Sequence, residues 1–412
     1  MHIWILQTGE PLQIDSAGLR PMRAMNLSQA LIEKGHSVTL WSSDFDHFAK
    51  KHRFGRMKVI KYSDNLEIRL ISSRGYESNV GLSRLIDHAQ LGFNLRKMLK
   101  TQSPPDIAFL GFPPIETAWV MSRWLTKNKV KFILDVKDAW PEVLLRALPR
   151  KITWVTKFLL FPYFFMRKQT FKKASSFSAP TSDFLNWCLN KSSRNINIYD
   201  TVTPLTSPNT IFSDEDIHKS GEFLEELGIY KDATLKVSFI GSLNSAFNFE
   251  PIFYAGKLLN IQFIIAGDGP YADYIKDKSK NIKNIILLGW ISAPTIKVLY
   301  ERSTFMIAPL KDLEDFAMSV PNKFYDAMSN NCPIITSISG TAARMIDSYG
   351  IGILYSNTPV ESLYSELIQI MGKPDLITRM SDNAKHLYQN EFTFSRVYGD
   401  LTNKIEAIVN GR

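Results

Sequence analysis

Short apolar runs alternate with longer amphipathic segments along most of the chain. The apolar runs fall at residues 2–7, 37–42, 67–72, 106–110, 131–136, 176–179, 237–240, 263–266, 285–288 and 305–308. Each run has the length of a buried strand, and the segments between them carry the three-to-four-residue period of helices. Short buried strands that alternate with helices predict an α/β protein with parallel sheets.

Small residues follow two of the strands of the second half, and a large pair follows a third. The small residues are Gly241, Ser242, Gly267 and Gly269, and the large pair is Trp290 and Ile291. Ligands of open parallel sheets bind outside the carboxyl ends of the strands. We therefore expect these residues to border a ligand site.

A predicted helix start near residue 320 adds to this site. Ser319 is placed as an N-cap, and Pro321 suits the first helical turn because its missing N–H needs no partner there. The free amides at 320–323 and the helix dipole favour an anion, and Lys323 adds a full charge. Asp326, three residues on, can accept bonds from a ribose. An ordinary capped helix with a surface Lys–Asp pair fits this spacing equally well.

Ordered motifs through most of the chain resemble one enzyme family. AGDGP, LLGWI and SVPNKFYDAMSNNCPII follow one another between residues 266 and 335. AGLRPMR and ILDVKDAWPEVLL lie in the first half, at 17–23 and 133–145. Together they resemble a glycosyltransferase of family 4, of the type that builds bacterial surface polysaccharides and O-antigen.

The resemblance implies the GT-B fold, with two Rossmann-like doubly wound parallel-sheet domains facing a cleft. Residues 1–203 would form the acceptor-side domain and residues 204–390 the nucleotide-sugar-binding domain. Residues 391–412 would form a helix that crosses back to the first domain.

The same resemblance implies an activity and a set of site residues. The chain would move a hexose or N-acetylaminosugar from a UDP- or GDP-linked donor to a lipid-linked or glycan acceptor, with retention and without a metal or other cofactor. Asp138 and Lys323 are the expected catalytic residues. The expected donor-binding residues are Gly18, Arg20, Gly241, Ser242, Gly267, Gly269, Trp290, Ile291, Ser319, Val320, Asn322, Lys323 and Asp326.

Two departures from the family pattern concern charge at the donor site. Many members carry two acids eight residues apart; Asp326 fits the second place, but Met318 occupies the first. The family's usual Arg and Lys after the first glycine are replaced by Ser242 and Asn248. We therefore expect the donor diphosphate to meet Lys323 and the amides beside it.

The first domain supplies further candidates. Arg20 or Arg23 would approach the diphosphate from the opposite wall. Asp138, which follows the strand at 131–136, would lie in the cleft near the acceptor hydroxyl or donor sugar, or else cap the next helix. The histidines lack metal-ligand spacing and are interpreted as surface or packing residues; acceptor contact is possible for the cluster at 44–47.

Length and cysteine content fit this picture. A chain of 412 residues suits two domains. Cys188 and Cys332 are far apart and offer neither a metal motif nor a disulfide framework, which favours a reducing compartment. The first apolar run is too short for a signal peptide, and no uncharged run reaches the roughly 18–20 residues of a spanning helix.

The net charge of +9 is concentrated in residues 146–173, which hold eight basic and seven aromatic side chains and no acid. Such a segment is typical of peripheral binding to an anionic membrane. We expect a cytoplasmic enzyme attached to the inner face of the plasma membrane. A buried helix with basic flanks is the main alternative, and nucleic-acid binding is a weaker one that we do not expect.

Two other functions remain open at this point. A non-catalytic relative that binds a nucleotide sugar is compatible with Met318, Ser242 and Asn248. A Rossmann-type oxidoreductase is disfavoured because AGDGP lacks the full Gly-x-Gly-x-x-Gly spacing and lies in the middle of the chain.

Overall fold

The computed structural model of the chain describes residues 1–15, 20–78, 81–146, 158–208, 210–311 and 314–411. It divides into two compact units. The first comprises Met1–Pro208 and Phe394–Arg412, and the second comprises Asn209–Thr393. The divisions lie a few residues beyond the boundaries that the sequence predicts, at 203 and 390.

The first unit is built on a sheet whose described strands number eight, in the order β10-β9-β8-β7-β1-β2-β6-β5. All neighbours are parallel except the edge pair β5 and β6. A separate antiparallel pair is formed by β3 and β4. The strands of this unit are β1 (His2–Leu6), β2 (Ser37–Ser43), β3 (Phe45–Asp46), β4 (Lys51–His52), β5 (Lys58–Lys61), β6 (Leu66–Ile71), β7 (Ile107–Phe112), β8 (Lys131–Val136), β9 (Ser176–Ala179) and β10 (Thr201–Val202).

Helices connect these strands, and the carboxyl-terminal helix joins their core. The helices that precede the second unit are α1 (Arg23–Glu33), α2 (Leu82–Met98), α3 (Ile115–Lys127), α4 (Glu142–Arg146), α5 (Phe161–Lys173) and α6 (Ser182–Ser192), with a 3-10 turn at Leu99–Thr101. Ile5 pairs with Leu40 and Phe109 in the middle of the sheet. Buried residues of the last helix, such as Leu401 and Ile405, pack in the same hydrophobic cluster.

The second unit has a parallel sheet whose described strands number six, in the order β13-β12-β11-β14-β15-β16. Its strands are β11 (Lys236–Ile240), β12 (Gln262–Ala266), β13 (Ile285–Gly289), β14 (Phe305–Ala308), β15 (Ile334–Thr336) and β16 (Gly352–Leu354). Its helices are α7 (Asp214–Glu226), α8 (Glu250–Leu258), α9 (Ala272–Ser279), α10 (Ala293–Arg302), α11 (Glu314–Ala317), α12 (Asn322–Ser329), α13 (Thr341–Tyr349), α14 (Ser362–Ile370) and α15 (Pro374–Leu387), followed by a π turn at Tyr388–Phe392. The last helix of the chain, α16 (Phe394–Asn410), belongs to the first unit.

Each sheet has a point at which the order of its strands reverses. In the first unit it lies between β1 and β7, and in the second between β11 and β14. A doubly wound parallel sheet binds its ligands at this switch point, beyond the carboxyl ends of the strands. The expectation of an α/β fold with Rossmann-like parallel-sheet domains is confirmed.

Within the described ranges, no helix is both long and apolar enough to cross a membrane.

Candidate functional site

Glycines let the strand-end loops of the second unit approach one another closely. A Cβ on Gly267 would lie 1.9 Å from the carbonyl oxygen of Gly241, and one on Gly269 would lie 2.4 Å from that of Leu243. Both glycines have positive φ angles, 140° and 151°. Only glycine combines this backbone with this proximity. The predicted glycines therefore allow the loops after β11 and β12 to pack against each other at this edge of the sheet.

Backbone hydrogen bonds fix these loops. The amide of Leu243 donates to the carbonyl of Asp268 at 2.9 Å, and the amide of Gly267 donates to that of Gly289 at 2.7 Å. The ends of β11, β12 and β13 are thus joined laterally. A rigid edge of this kind can hold side chains in place before a ligand arrives.

The start of α12 differs from the prediction. The helix begins at Asn322, with Pro321 in the extended N-cap position and no side-chain cap. The amide of Ser319 donates instead to the carbonyl of Phe316 at 3.0 Å. The prediction that Ser319 caps this helix is therefore wrong. Val320, also expected at the site, is buried, and Asn322 is half-buried.

Lys323 reaches from α12 to the end of β11. Its Nζ lies 4.2 Å from the ring centroid of Phe239 and 4.4 Å from that of Phe247. A Cβ on Gly241 would be 3.0 Å from the same Nζ. The Nζ is buried, and none of the described residues offers it a hydrogen bond. Burial lowers the pKa of the amine to about 7, against the opposing charge of Asp326.

The other predicted donor residues surround this amine unevenly. Asp326 is half-buried on the same helix. Trp290 is 77% exposed, while the side chain of Ile291 packs in the hydrophobic cluster of Ile264 and Leu299. Ile291 can therefore contribute only backbone groups to a ligand. Ser242 is exposed at the end of β11.

The residues at the family's charged positions do not restore the missing charge. Asn248 donates its side-chain amide to Asn357 at 3.3 Å, and its own backbone amide donates to Pro309 at 2.7 Å. Met318 is half-buried. Lys323 is thus the buried cation that the described residues bring to this strand edge.

The first unit has its own pocket, of about 290 Å³, at its switch point. The residues that line it come mainly from the loops after β1, β3, β6, β7 and β8 and from α2. They include Gln7, Glu10, His47, Phe48, Tyr76, Arg84, Asp87, His88, Pro113, Pro114, Lys137 and Asp138. The predicted catalytic residue Asp138 thus lines a pocket at the carboxyl ends of strands.

Desolvation by the surrounding protein raises the pKa of the Asp138 carboxyl, while the charges of Lys137 and Arg84 lower it. Lys137 forms a short hydrogen bond with Glu10. Glu10 also accepts a bond from the amide of Ala24 at 2.8 Å, which ties the pocket to α1.

Two histidines of this pocket are held neutral. His47 Nδ1 lies 2.5 Å from the hydroxyl of Tyr76, and burial lowers its pKa to about 4. Burial lowers the pKa of His88 to about 3. Glu116, whose carboxylate lies 3.9 Å from His88 Nδ1, has a pKa raised by burial to about 7. The pocket therefore presents uncharged imidazoles at neutral pH.

Most residues of this pocket were not predicted from the sequence. His88 was interpreted as a packing or surface residue, and Tyr76, Arg84 and Glu116 were not singled out. Glu116 lies in the first turn of α3, four residues after the end of β7, so its position beyond a strand end was the one available indication. Asp44, from the cluster at 44–47, is a structural residue that accepts from the amide of Phe54 at 2.8 Å.

The arginines expected to face the donor have other partners. Arg23 is buried, donates to the carbonyl of Thr203 and lies 3.5 Å from the carboxylate of Asp135. The prediction that Arg23 approaches the diphosphate is wrong, because its side chain is part of the core of the first unit. Arg20 donates to the carbonyl of Leu205 at 3.1 Å. Gly18 lies outside the described residues.

The basic aromatic segment 146–173 is described from residue 158 onward, apart from the backbone of Arg146. A stripe of side chains spaced by three or four residues faces outward. We call it the α5 stripe; it consists of Phe158, Phe161, Phe165, Lys168 and Lys172. The three phenylalanines are 79%, 65% and 47% exposed.

The opposite face of α5 is built into the first unit. Arg167 is buried, donates to Glu142, and lies 5.7 Å from the ring of Trp187. Phe171 is fully buried. Assigning Arg167 to a membrane-facing surface is therefore wrong.

Comparisons with known proteins agree with the geometry of the second unit. Residues 230–387 match the model of the family described as Glycosyl transferases group 1. No sequence among curated proteins is significantly similar to the chain.

Solved structures resemble the whole chain. Sucrose-phosphate synthase from Thermosynechococcus elongatus is 12% identical, with a TM-score of 0.70 and 100% of both chains covered. Anabaena HepE in complex with UDP-glucose is 13% identical, with a TM-score of 0.63, and covers 99% of this chain and 100% of its own. WaaG, a glycosyltransferase involved in lipopolysaccharide biosynthesis, is 12% identical, with a TM-score of 0.64 and 100% of both chains covered.

At these identities the structural likeness bears on the fold, which is that of GT-B glycosyltransferases. The family match covers the unit that carries Lys323 and the strand-end glycines. The second unit thus matches a glycosyltransferase family model, and the whole chain shares its fold with GT-B glycosyltransferases.

Proposed function

We propose that the chain transfers a sugar from a UDP- or GDP-linked donor to a lipid-linked or glycan acceptor in surface polysaccharide synthesis, with retention of configuration. The observation that carries this proposal is the buried amine of Lys323 at the glycine-rich switch point of the second unit. A buried cation without a hydrogen-bond partner is costly unless a ligand supplies the counter-charge. The diphosphate of a nucleotide sugar supplies it.

In this proposal Lys323 stabilises the charge that develops on the leaving diphosphate. Preorganised charges in a water-poor site are worth roughly 2–4 kcal/mol each toward a transition state. Asp326 would accept bonds from the ribose, and the base would lie near Trp290. No metal or cofactor is required, because the protein contributes the positive charge.

The acceptor, in the same proposal, binds the pocket of the first unit. Asp138, His47 and His88 offer one carboxyl and two neutral imidazoles, which suit sugar hydroxyls as partners. Their chemistry does not single out one sugar. Asp138 is proposed to orient the attacking hydroxyl.

Donor binding and turnover test the proposal separately. UDP- and GDP-linked sugars are screened by thermal shift, since a ligand that binds the folded state raises its stability. The nucleotide sugar that binds is then incubated with enzyme and a lipid and glycan extract. Release of nucleoside diphosphate with transfer of labelled sugar supports the proposal. Binding without release favours a non-catalytic relative, which Met318 makes worth testing, and no binding contradicts a donor site.

We also propose that the α5 stripe docks the enzyme on an anionic bilayer at the inner face of the plasma membrane. Its amino-terminal half is aromatic and exposed, and its carboxyl-terminal half is basic. No acid lies between residues 158 and 173. Each lysine near an anionic surface contributes about 1 kcal/mol, and inserted aromatic area adds to this.

Co-sedimentation with vesicles tests the docking surface. Wild-type protein is expected to bind phosphatidylglycerol vesicles, to ignore phosphatidylcholine vesicles and to dissociate at high salt. Lys168→Gln with Lys172→Gln is expected to weaken binding, as is Phe161→Ser with Phe165→Ser. A matched control, Lys276→Gln with Lys280→Gln, removes two exposed charges from the second unit. Equal binding by the α5 variants and the control would show that the stripe is not the docking surface.

A further inference from the structure

The surroundings of Lys323 solvate its ammonium group poorly. The Nζ is enclosed between the rings of Phe239 and Phe247 and has no hydrogen-bond partner in the described part of the chain. The ring faces offset part of the cost of burying a cation. They do not replace the hydrogen bonds that the ammonium makes in water.

Few charged groups face this amine. Asp326 is on the same helix, and its charge favours the protonated form. Phe239 on β11 and Gly241 just after it face the Nζ, and the loop at 242–249 contains no titratable residue. On the neighbouring loop, the carboxylate of Asp268 accepts from the amide of Gly269 at 2.7 Å.

We infer that binding of a diphosphate at this site is accompanied by the uptake of one proton from solvent by Lys323. The inference rests on the proposed donor site and adds a property that the family resemblance does not contain. An empty site leaves the amine largely neutral above pH 7, in keeping with the pKa of about 7 that burial gives it. The double negative charge of the diphosphate favours the ammonium form, so the amine gains a proton as the ligand binds.

The inference fixes the direction of the pH dependence. Well below pH 7 the amine is already protonated, so binding takes up no proton and affinity is constant. Above pH 7 binding must recruit a proton, and the affinity falls by up to about tenfold for each pH unit. The ligand does not add a titration of its own, because the diphosphate of a nucleotide sugar lacks the terminal phosphate that titrates near about pH 6.

Calorimetry with UDP-glucose measures this proton directly, with GDP-mannose as the second probe if UDP-glucose does not bind. Each titration is run near about pH 6 and about pH 8, in two buffers of different ionisation enthalpy. The dependence of the binding enthalpy on the buffer gives the number of protons taken up. We expect close to none at the lower pH and close to one at the higher.

Two substitutions separate charge from titration. Lys323→Arg keeps a permanent positive charge, because the guanidinium does not deprotonate in proteins. It is expected to bind without proton uptake and without the loss of affinity at high pH. Lys323→Met is expected to lose both the affinity and the uptake. Lys280→Met, an exposed position in the same unit, is the control and is expected to match wild type.

The outcomes are distinguishable. Proton uptake that disappears in both Lys323 variants supports the inference. Binding of either nucleotide sugar with unchanged affinity and no uptake near pH 8, or uptake that persists in Lys323→Met, overturns the inference and leaves the donor site standing. Failure of both nucleotide sugars to bind at either pH overturns the proposed function as well.

Discussion

The switch points of the two units differ in whether their charged and polar side chains are bonded to one another. In the first unit, polar side chains of the pocket are joined to one another: Lys137 to Glu10, and His47 to Tyr76. In the second unit, Lys323 is buried against two rings and has no hydrogen-bond partner within the described ranges. The polar groups of the first pocket are bonded to one another, whereas the buried amine of the second has no hydrogen-bond partner among the described residues.

This contrast indicates what each site can bind. A site whose charges are already paired gains most from a ligand with hydroxyl groups, which exchange hydrogen bonds without adding charge. A site with an unpaired buried amine gains most from an anion. The difference therefore matches a sugar acceptor in the first unit and a diphosphate donor in the second, as we propose.

The largest expected effect comes from Arg23, which belongs to the core and not to either ligand. Arg23→Met removes the guanidinium from the buried carboxylate of Asp135, which keeps only the hydrogen bond from Ser178 and the more distant Lys137, at 3.9 Å. Loss of one member of a buried ion pair costs about 3–5 kcal/mol. Chemical denaturation should show this loss, while the protein that remains folded should bind the donor normally. Wild-type stability in this variant would return Arg23 to the list of donor candidates.

Lys323→Ala should have the next largest effect. In contrast to Arg23→Met, it should reduce turnover and leave stability intact. The variant is expected to lose about 2–4 kcal/mol of transition-state stabilisation, so that turnover falls roughly 30-fold to 1000-fold. Stability should be retained or increased below pH 7, because a buried charge is removed. The assay is sugar transfer by folded protein, and Lys280→Ala is the matched control. Near-wild-type transfer by the variant would contradict the assignment.

Glu116 should make the stability of the first unit depend on pH. Burial raises its pKa to about 7, so the folded protein holds this proton more tightly than the unfolded chain, whose usual value is 4.5. The stabilisation is fully present below about pH 4.5 and is lost as the pH rises through 7, by up to roughly 3 kcal/mol. Glu116→Gln, which cannot ionise, should lack this dependence in denaturation measured across the range. A parallel slope in both proteins would remove Glu116 as its source.

Asp326→Asn tests the ribose contact and should have the smallest effect. An amide offers one acceptor oxygen where a carboxylate offers two. Loss of one hydrogen bond to a charged group weakens donor binding by about 1.5–3 kcal/mol, toward the lower value if the ribose is partly solvated. Asp326→Glu should bind the donor nearly as well as wild type. Equal affinity in all three proteins, measured by calorimetry, would place the ribose elsewhere.

The strands and the glycine-rich edge were predictable because both depend on local sequence. Buried parallel strands are continuous apolar runs, and Gly267 and Gly269 follow one of them directly. The prediction for Ser319 was wrong because Pro321 adopts an extended conformation and the helix begins after it. The helices α14 and α15 are separated at Gly372, whose φ angle is 83°.

Most of the pocket in the first unit could not be predicted from the sequence. Its side chains come from loops and a helix that are distant in the chain and meet only because of the strand order. Arg23 was assigned wrongly although a pattern was available. It lies four and eight residues before Leu27 and Leu31, on the buried face of α1. The helical register of α1 would therefore have been sufficient to identify this arginine as a core residue.

The measurement that tests the account most directly is amide hydrogen exchange of the whole chain with and without the nucleotide sugar that binds. We predict protection of the strand ends at 240–248 and 267–272 and of the segment at 318–326. The pocket of the first unit should change little when the donor alone is present. Protection confined to residues 7–10, 84–88 and 137–140, with none at 318–326, would contradict a donor site at Lys323.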